Sequence, residues 1–159
     1  AAKPDFLDAK INLGAAYLAM RRWDAAIEVF EPLVHERLYT TPYILYNNLG
    51  YAWQHKGDLD QAAENYRQAI FLNPRFCLGL YNLGEVLAAQ GDERGAAKHY
   101  SRAIDKCPGY VEPYYRLGAL YEKRGRYAEA LDFYKQCMKH GGEGVIGERC
   151  RIRVEGDVL

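Results

Sequence analysis

Four histidines, four cysteines and a single serine are the residues of this chain best suited to chemistry. The histidines, His35, His55, His99 and His140, are scattered, and none has a partner at metal-ligand spacing. Ser101 is the one serine nucleophile available, and no base is set beside it by any motif. No glycine-rich phosphate loop is present. Asp58 and Asp60 read as helix-capping residues, not as a general acid–base pair. The cysteines, Cys77, Cys107, Cys137 and Cys150, contain no Cys-x-x-Cys, which points away from zinc and from a thioredoxin-like redox site. The reading is a protein without catalytic residues, cofactor or metal.

Composition narrows the class further. The 159 residues suit one domain with a sizeable core. Hydrophobic residues make up 49% and charged residues 26%, an ordinary soluble balance. Lys plus Arg and Asp plus Glu are 21 each, so the broad basic field needed for nucleic acid is missing. No apolar run approaches the roughly 20 residues of a membrane span. The chain opens at "AAKPDFLDAKINLG", already in a helical pattern and without signal-peptide regions. The expectation is a fragment of a longer precursor.

What the sequence does contain is repetition. Leu13-Gly14, Leu49-Gly50, Leu83-Gly84 and Leu117-Gly118 recur every 34 to 36 residues. A period of this size means stacked supersecondary units. In the third unit Leu80, Leu83, Leu87, Ala96, Tyr100 and Ala103 follow helical spacing on two amphipathic helices. Gly57, Gly91 and Gly125 end first helices in the left-handed region. Asp58 and Asp92 then cap the second helices. Pro74 and Pro108 close their units. The expected helices are 5–20, 24–37, 43–56, 59–72, 77–90, 93–106, 111–124 and 127–140. The recurrent Gly of Leu-Gly, with Ala26, Ala62, Ala96 and Ala130, lets paired helices approach closely.

Tyr46, Leu49, Gly50, Trp53, Gly57, Ala62, Tyr66, Ala69 and Pro74 together resemble the tetratricopeptide repeat. Unit three matches nearly as well. Unit four has Cys137 for the second Ala and Gly142 for the Pro, and unit one has Arg21 for the turn glycine. The resemblance implies an all-α, right-handed superhelical solenoid of four helix-turn-helix repeats, about 7–42, 43–76, 77–110 and 111–142, within an array spanning 1–142. Residues 143–159 form a remnant in which Ile146, Cys150 and Val154 line one face of a capping helix weakened by Gly144, Gly147 and Gly156.

Cys77 opens the first helix of unit three and Cys107 ends its second, so the two meet in an antiparallel pair. They bridge in an oxidising compartment and are otherwise two buried thiols. Cys137 and Cys150 make a second candidate pair.

In proteins of this repeat, partners usually lie along the groove lined by first helices. The groove residues expected here are Asn12, Asn47, Asn48, Tyr51, His55, Tyr81, Asn82, Glu85, Tyr115 and Arg116. The asparagine row suits an extended peptide backbone, and the tyrosines suit an interface. The bland alternative is a solvated groove. His55 reads as a groove hydrogen-bonder in preference to a catalyst. Arg116 beside Glu85 and Glu112 does not make a carboxylate clamp.

The two-residue insertion at "HERLYTTPYILYNNLG", with Leu38-Tyr39, Pro42 and the following Asn-Leu-Gly helix, resembles the tetratricopeptide pilotins of type IV pili. That resemblance implies an outer-membrane lipoprotein at the periplasmic face that assists secretin assembly, with its lipid anchor in a missing N-terminus. The other readings are a cytosolic scaffold that binds a peptide or helix, and a regulatory array fused to an enzyme. A monomer or weak oligomer is expected.

Overall fold

The computed structural model describes residues 4–36 and 40–156, and all regular structure among them is helical. The helices are α1 (Pro4–Ala19), α2 (Trp23–Phe30), α3 (Pro42–Lys56), α4 (Leu59–Leu72), α5 (Cys77–Ala89), α6 (Glu93–Lys106), α7 (Glu112–Lys123), α8 (Tyr127–Gly141) and α9 (Val145–Gly156). They group into two compact units, Ala1–Pro74 and Arg75–Leu159. Leu38 and Tyr39, which carried the resemblance to pilotins, lie outside the described residues.

One expected helix is corrected. The run 24–37 is α-helical only to Phe30 and continues as a 3₁₀ turn, Glu31–His35. Pro32 is the cause, because it has no N–H to extend the i→i−4 ladder. The other expected helices are found within about a turn of their bounds.

Every turn between paired helices is built alike. Gly57 donates to the Gln54 carbonyl at 3.1 Å and Asp58 to the Trp53 carbonyl at 3.0 Å. Gly91 and Asp92, and Gly125 and Arg126, repeat the pair of bonds. The three glycines have φ of 95°, 85° and 70°, the left-handed region this closure requires. In the first unit Arg21 takes the same part at φ 56°. Its Cβ makes that conformation costly, so Arg21→Gly is expected to stabilise residues 1–74 by up to about 1 kcal/mol. A lower urea midpoint for Arg21→Gly would overturn this.

The Leu-Gly glycines hold the helix pairs together. A Cβ at Gly14 would lie 2.5 Å from the Phe30 ring, at Gly50 2.7 Å from Tyr66, at Gly84 2.5 Å from Tyr100, and at Gly118 2.6 Å from Tyr134. Each ring is buried against bare backbone, and its size is matched by the missing side chain. The preceding leucines differ. Leu49, Leu83 and Leu117 are buried, whereas Leu13 is exposed.

α9 packs on α8 and closes the second unit. Cys150 is fully buried with Tyr134 and Cys137, and Ile146 and Val154 pack around them. Gly147 has a role beyond weakening this helix: its Cβ would meet the Gly142 carbonyl oxygen at 2.5 Å, so only glycine allows the approach. Cys137 and Cys150 are bridged with Cα atoms 6.0 Å apart, and Cys77 and Cys107 with Cα atoms 6.2 Å apart.

Candidate functional site

The first helix of each pair presents one face that is not consumed by packing. In residues 1–74 this face carries Asn12 on α1, exposed, and Asn48, Tyr51 and His55 on α3. Trp23, at the first turn of α2, stacks on the His55 ring at 4.9 Å and meets Tyr51 edge-on at 6.0 Å. Tyr51 and His55 are 4.3 Å apart, completing an aromatic cluster. Lys56 pairs with Asp24 at 2.6 Å beside it. His55 thus does its packing through ring faces. Asn47 is corrected: it is only 6% exposed. It holds the same place relative to Gly50 as Tyr81 and Tyr115 do to Gly84 and Gly118, but its side chain is too short to emerge from the helix pair.

In residues 75–159 the face is a polar network on an apolar floor. Glu85 of α5 accepts hydrogen bonds from the Tyr100 hydroxyl and from the Arg116 guanidinium. Arg116 also reaches the Tyr81 hydroxyl through Nε at 3.4 Å. Tyr81 packs edge-on against Tyr110 at 5.5 Å. Tyr115 lies 5.9 Å from Tyr134. Glu85, Ala88, Tyr100, Arg116, Ala119, Leu120 and Lys123 line a cavity of about 330 Å³. Its floor is open because Ala88 stands where α3 and α7 carry Gln54 and Glu122, and Ala119 where α3 carries Tyr51. Below it Glu93 takes Lys123 at 2.5 Å and Arg124 at 3.1 Å. Arg116 is already engaged by Glu85, which is why it makes no carboxylate clamp.

Glu85 therefore has two roles, one of them structural. The buried second-helix tyrosines each need an acceptor: Tyr66 donates to Gln54 at 2.8 Å, Tyr134 to Glu122 at 2.6 Å, and Tyr100 to Glu85. Burial raises all three phenols well above their usual range, and the carboxylates beside Tyr100 and Tyr134 add to it. The unfolded phenol ionises near pH 10. A folded value raised above that contributes stability that is complete below about pH 10 and is lost as pH climbs toward the folded value. Phenolate absorbance of these three tyrosines is expected to appear only together with loss of helical circular dichroism. Full tyrosine ionisation with the helices intact would contradict it.

Trp23, Tyr110 and Lys123 belong to these faces and were not among the residues singled out from sequence. Trp23 had a signal, an aromatic directly after the turn Arg21-Arg22. Among the described residues no three His, Cys, Asp or Glu converge to hold a metal. No described helix is long and apolar enough to cross a membrane.

Residues 11–74, 48–111 and 111–140 match family models described as tetratricopeptide repeat. No curated protein matches the chain. Among solved structures, a crystal structure of MamA is 28% identical with a TM-score of 0.78, covering 87% of this chain and 80% of that one. A tetratricopeptide repeat protein from Parabacteroides merdae is 19% identical with a TM-score of 0.80, over 94% of this chain and 59% of that one. YrrB, described as a TPR protein with an unusual peptide-binding site, is 17% identical with a TM-score of 0.74, over 91% and 74%. The last two show the fold alone, an all-α repeat solenoid.

Proposed function

Because this chain belongs to the tetratricopeptide repeat family, we propose that it is a non-catalytic adaptor that holds a segment of another protein on the first-helix face of residues 75–159. Repeats of this family generally serve protein–protein interaction and are not catalytic. The observation that carries the reading is the Glu85–Arg116–Tyr81 network beside its cavity of about 330 Å³. The network is in place before a partner arrives, which lowers the ordering cost of binding. Tyr81 and Tyr115 add half-buried aromatic area with polar tips. Ala88 and Ala119 leave room for one apolar side chain of an extended peptide.

The pilotin reading is the specific form we favour, with a secretin subunit as partner and a lipid-anchored full-length protein at the periplasmic face of the outer membrane. The two cystines support it, since disulfides persist in oxidising compartments and are rare in the cytosol. A cytosolic scaffold would use the same face on a different partner.

The experiment is capture of secretin from cell envelopes, with ring formation scored in a deletion strain. Tyr81→Ala is expected to weaken capture by about 1–3 kcal/mol with helical content unchanged, and Tyr51→Ala tests the aromatic cluster of residues 1–74. Normal rings in the deletion strain would remove the pilotin reading. Unchanged capture by Tyr81→Ala would move the site off this face.

A further inference from the structure

Residues 1–74 carry a second recess, on the side of α3 away from Tyr51 and His55. Trp53 is two positions from each of them, about 200° around the helix. α2 stops at Phe30 and the tighter 3₁₀ turn Glu31–His35 continues in its place, whereas α4 runs for 14 residues. Between that turn and α4, over α3, lies a cavity of about 370 Å³. Val34, Tyr46, Leu49 and Trp53 supply its apolar floor. Tyr46 and Trp53 are half-buried. Leu80 and Leu87, at the same distances from the Leu-Gly glycine of α5, are at most 8% exposed. Two rings are left showing on α3 where α5 buries leucines.

The wall of the cavity is rich in acceptors. Gln61, Glu64, Asn65 and Gln68 share one face of α4 by their spacing, and Glu31 joins them from the turn. Asn65 donates through Nδ2 to the Gln61 carbonyl at 2.9 Å, and Gln68 through Nε2 to Glu64 at 3.0 Å. Each of these two amides keeps its oxygen as the acceptor it offers. Among the described residues of the lining there is no lysine or arginine, and His35 is the only basic one. Two cations stand nearby. Lys56, 4.9 Å from the Trp53 ring centroid, pairs with Asp24 at 2.6 Å. Arg67 lies 3.8 Å from Glu64, an exposed pair of small worth.

We propose that this cavity is a second partner site and that its occupant is an arginine side chain of an extended protein segment. Carboxylates and amide oxygens together call for a charged group with several donors. The two rings call for one that lies flat. A guanidinium meets both needs, with five N–H donors in a planar fork that stacks on aromatic faces. Trp is the best ring for such a cation. An ammonium answers the carboxylates only as a point charge, and an anionic ligand is repelled by Glu31 and Glu64. The site lies wholly within residues 1–74 and does not rest on the face proposed for residues 75–159.

The test is titration of the isotope-labelled chain with acetyl-Ala-Arg-Ala-amide at low salt, followed by nuclear magnetic resonance. A Kd of about 1 mM is expected, the affinity of a single anchoring side chain. Shifts are expected to centre on the Trp53 indole N–H and on the amides of 61–68. The citrulline peptide, alike in shape but uncharged, is expected to bind about tenfold more weakly, and the lysine peptide about threefold more weakly. Glu31→Gln/Glu64→Gln is expected to lose about tenfold with unchanged circular dichroism, because both side chains are exposed. Glu28→Gln/Glu143→Gln, which removes two exposed charges elsewhere, is expected to bind as the parent does. No shifts at about 20 mM peptide, or shifts centred away from α3 and α4, overturn the proposal. So does equal binding of the citrulline or lysine peptide, or a Glu31→Gln/Glu64→Gln chain that binds as tightly as the parent. If that variant fails to fold, the citrulline comparison decides alone.

Discussion

Removing both cystines is expected to lower the stability of residues 75–159 by about 3 kcal/mol per bridge. The Cys77–Cys107 bridge closes a separation of 30 residues and Cys137–Cys150 one of 13. Chain-entropy arguments put these at about 3.5 and 3 kcal/mol respectively. The two act on different parts. Cys77–Cys107 ties the start of α5 to the end of α6, helices already packed along their length. Cys137–Cys150 ties α9 to α8, which it otherwise meets through the close approach of Gly147 and two half-buried aliphatic residues, while Arg153 pairs with Glu122 of α7 at 2.9 Å. Urea unfolding of Cys77→Ser/Cys107→Ser and Cys137→Ser/Cys150→Ser measures each loss. Amide exchange of the second variant is expected to show α9 opening before the rest of its unit. Unchanged midpoints would mean that the bridges add nothing to helix packing.

Tyr100→Ala is expected to cost about 3–5 kcal/mol, the largest effect of a single side chain here. The ring is 1% exposed, it fills the concavity left by Gly84, and its hydroxyl serves Glu85. Its loss leaves a cavity between α5 and α6 and removes a donor from Glu85 at once. The opposite change tests the same fit. Gly84→Ala would gain about 1 kcal/mol from helix propensity, yet its Cβ would meet the ring at 2.5 Å. It is expected to destabilise by about 1–3 kcal/mol, since overpacking of a tight contact outweighs propensity. Gly84→Leu combined with Tyr100→Ala restores volume and is expected to recover part of the loss. A Gly84→Ala chain as stable as the parent would show that α5 and α6 separate freely.

The candidate faces were partly legible before any coordinates. Tyr51 and Tyr81 were placed on the open side of first helices by their offset from the Leu-Gly landmarks; Tyr51 is 39% exposed and Tyr81 is half-buried against Tyr110. Asn47 shared the reasoning and failed, because offset gives direction but not reach. A tyrosine at that offset projects past the helix pair, whereas an asparagine stops within it. Trp23 escaped notice because its partner, His55, is 32 positions away in the chain.

By itself the sequence determined the repeat, its turns and its caps. Those features are local. Gly57, Gly91 and Gly125 answer to a backbone angle, and Asp58 and Asp92 accept from N–H groups three residues on, at 3.0 and 2.8 Å. Pro32 shows the same locality, since it alone suffices to end α2. Only the tertiary structure decided what covers each helix. Leu13 and Leu49 occupy the same landmark, yet one is exposed and the other buried. The difference lies in the neighbouring helix that packs, or does not pack, against each. The double use of Glu85, by a buried phenol from α6 and an arginine from α7, has the same origin. Burial and hydrogen-bond partners are properties of the space around a residue, and that space is filled from elsewhere in the chain.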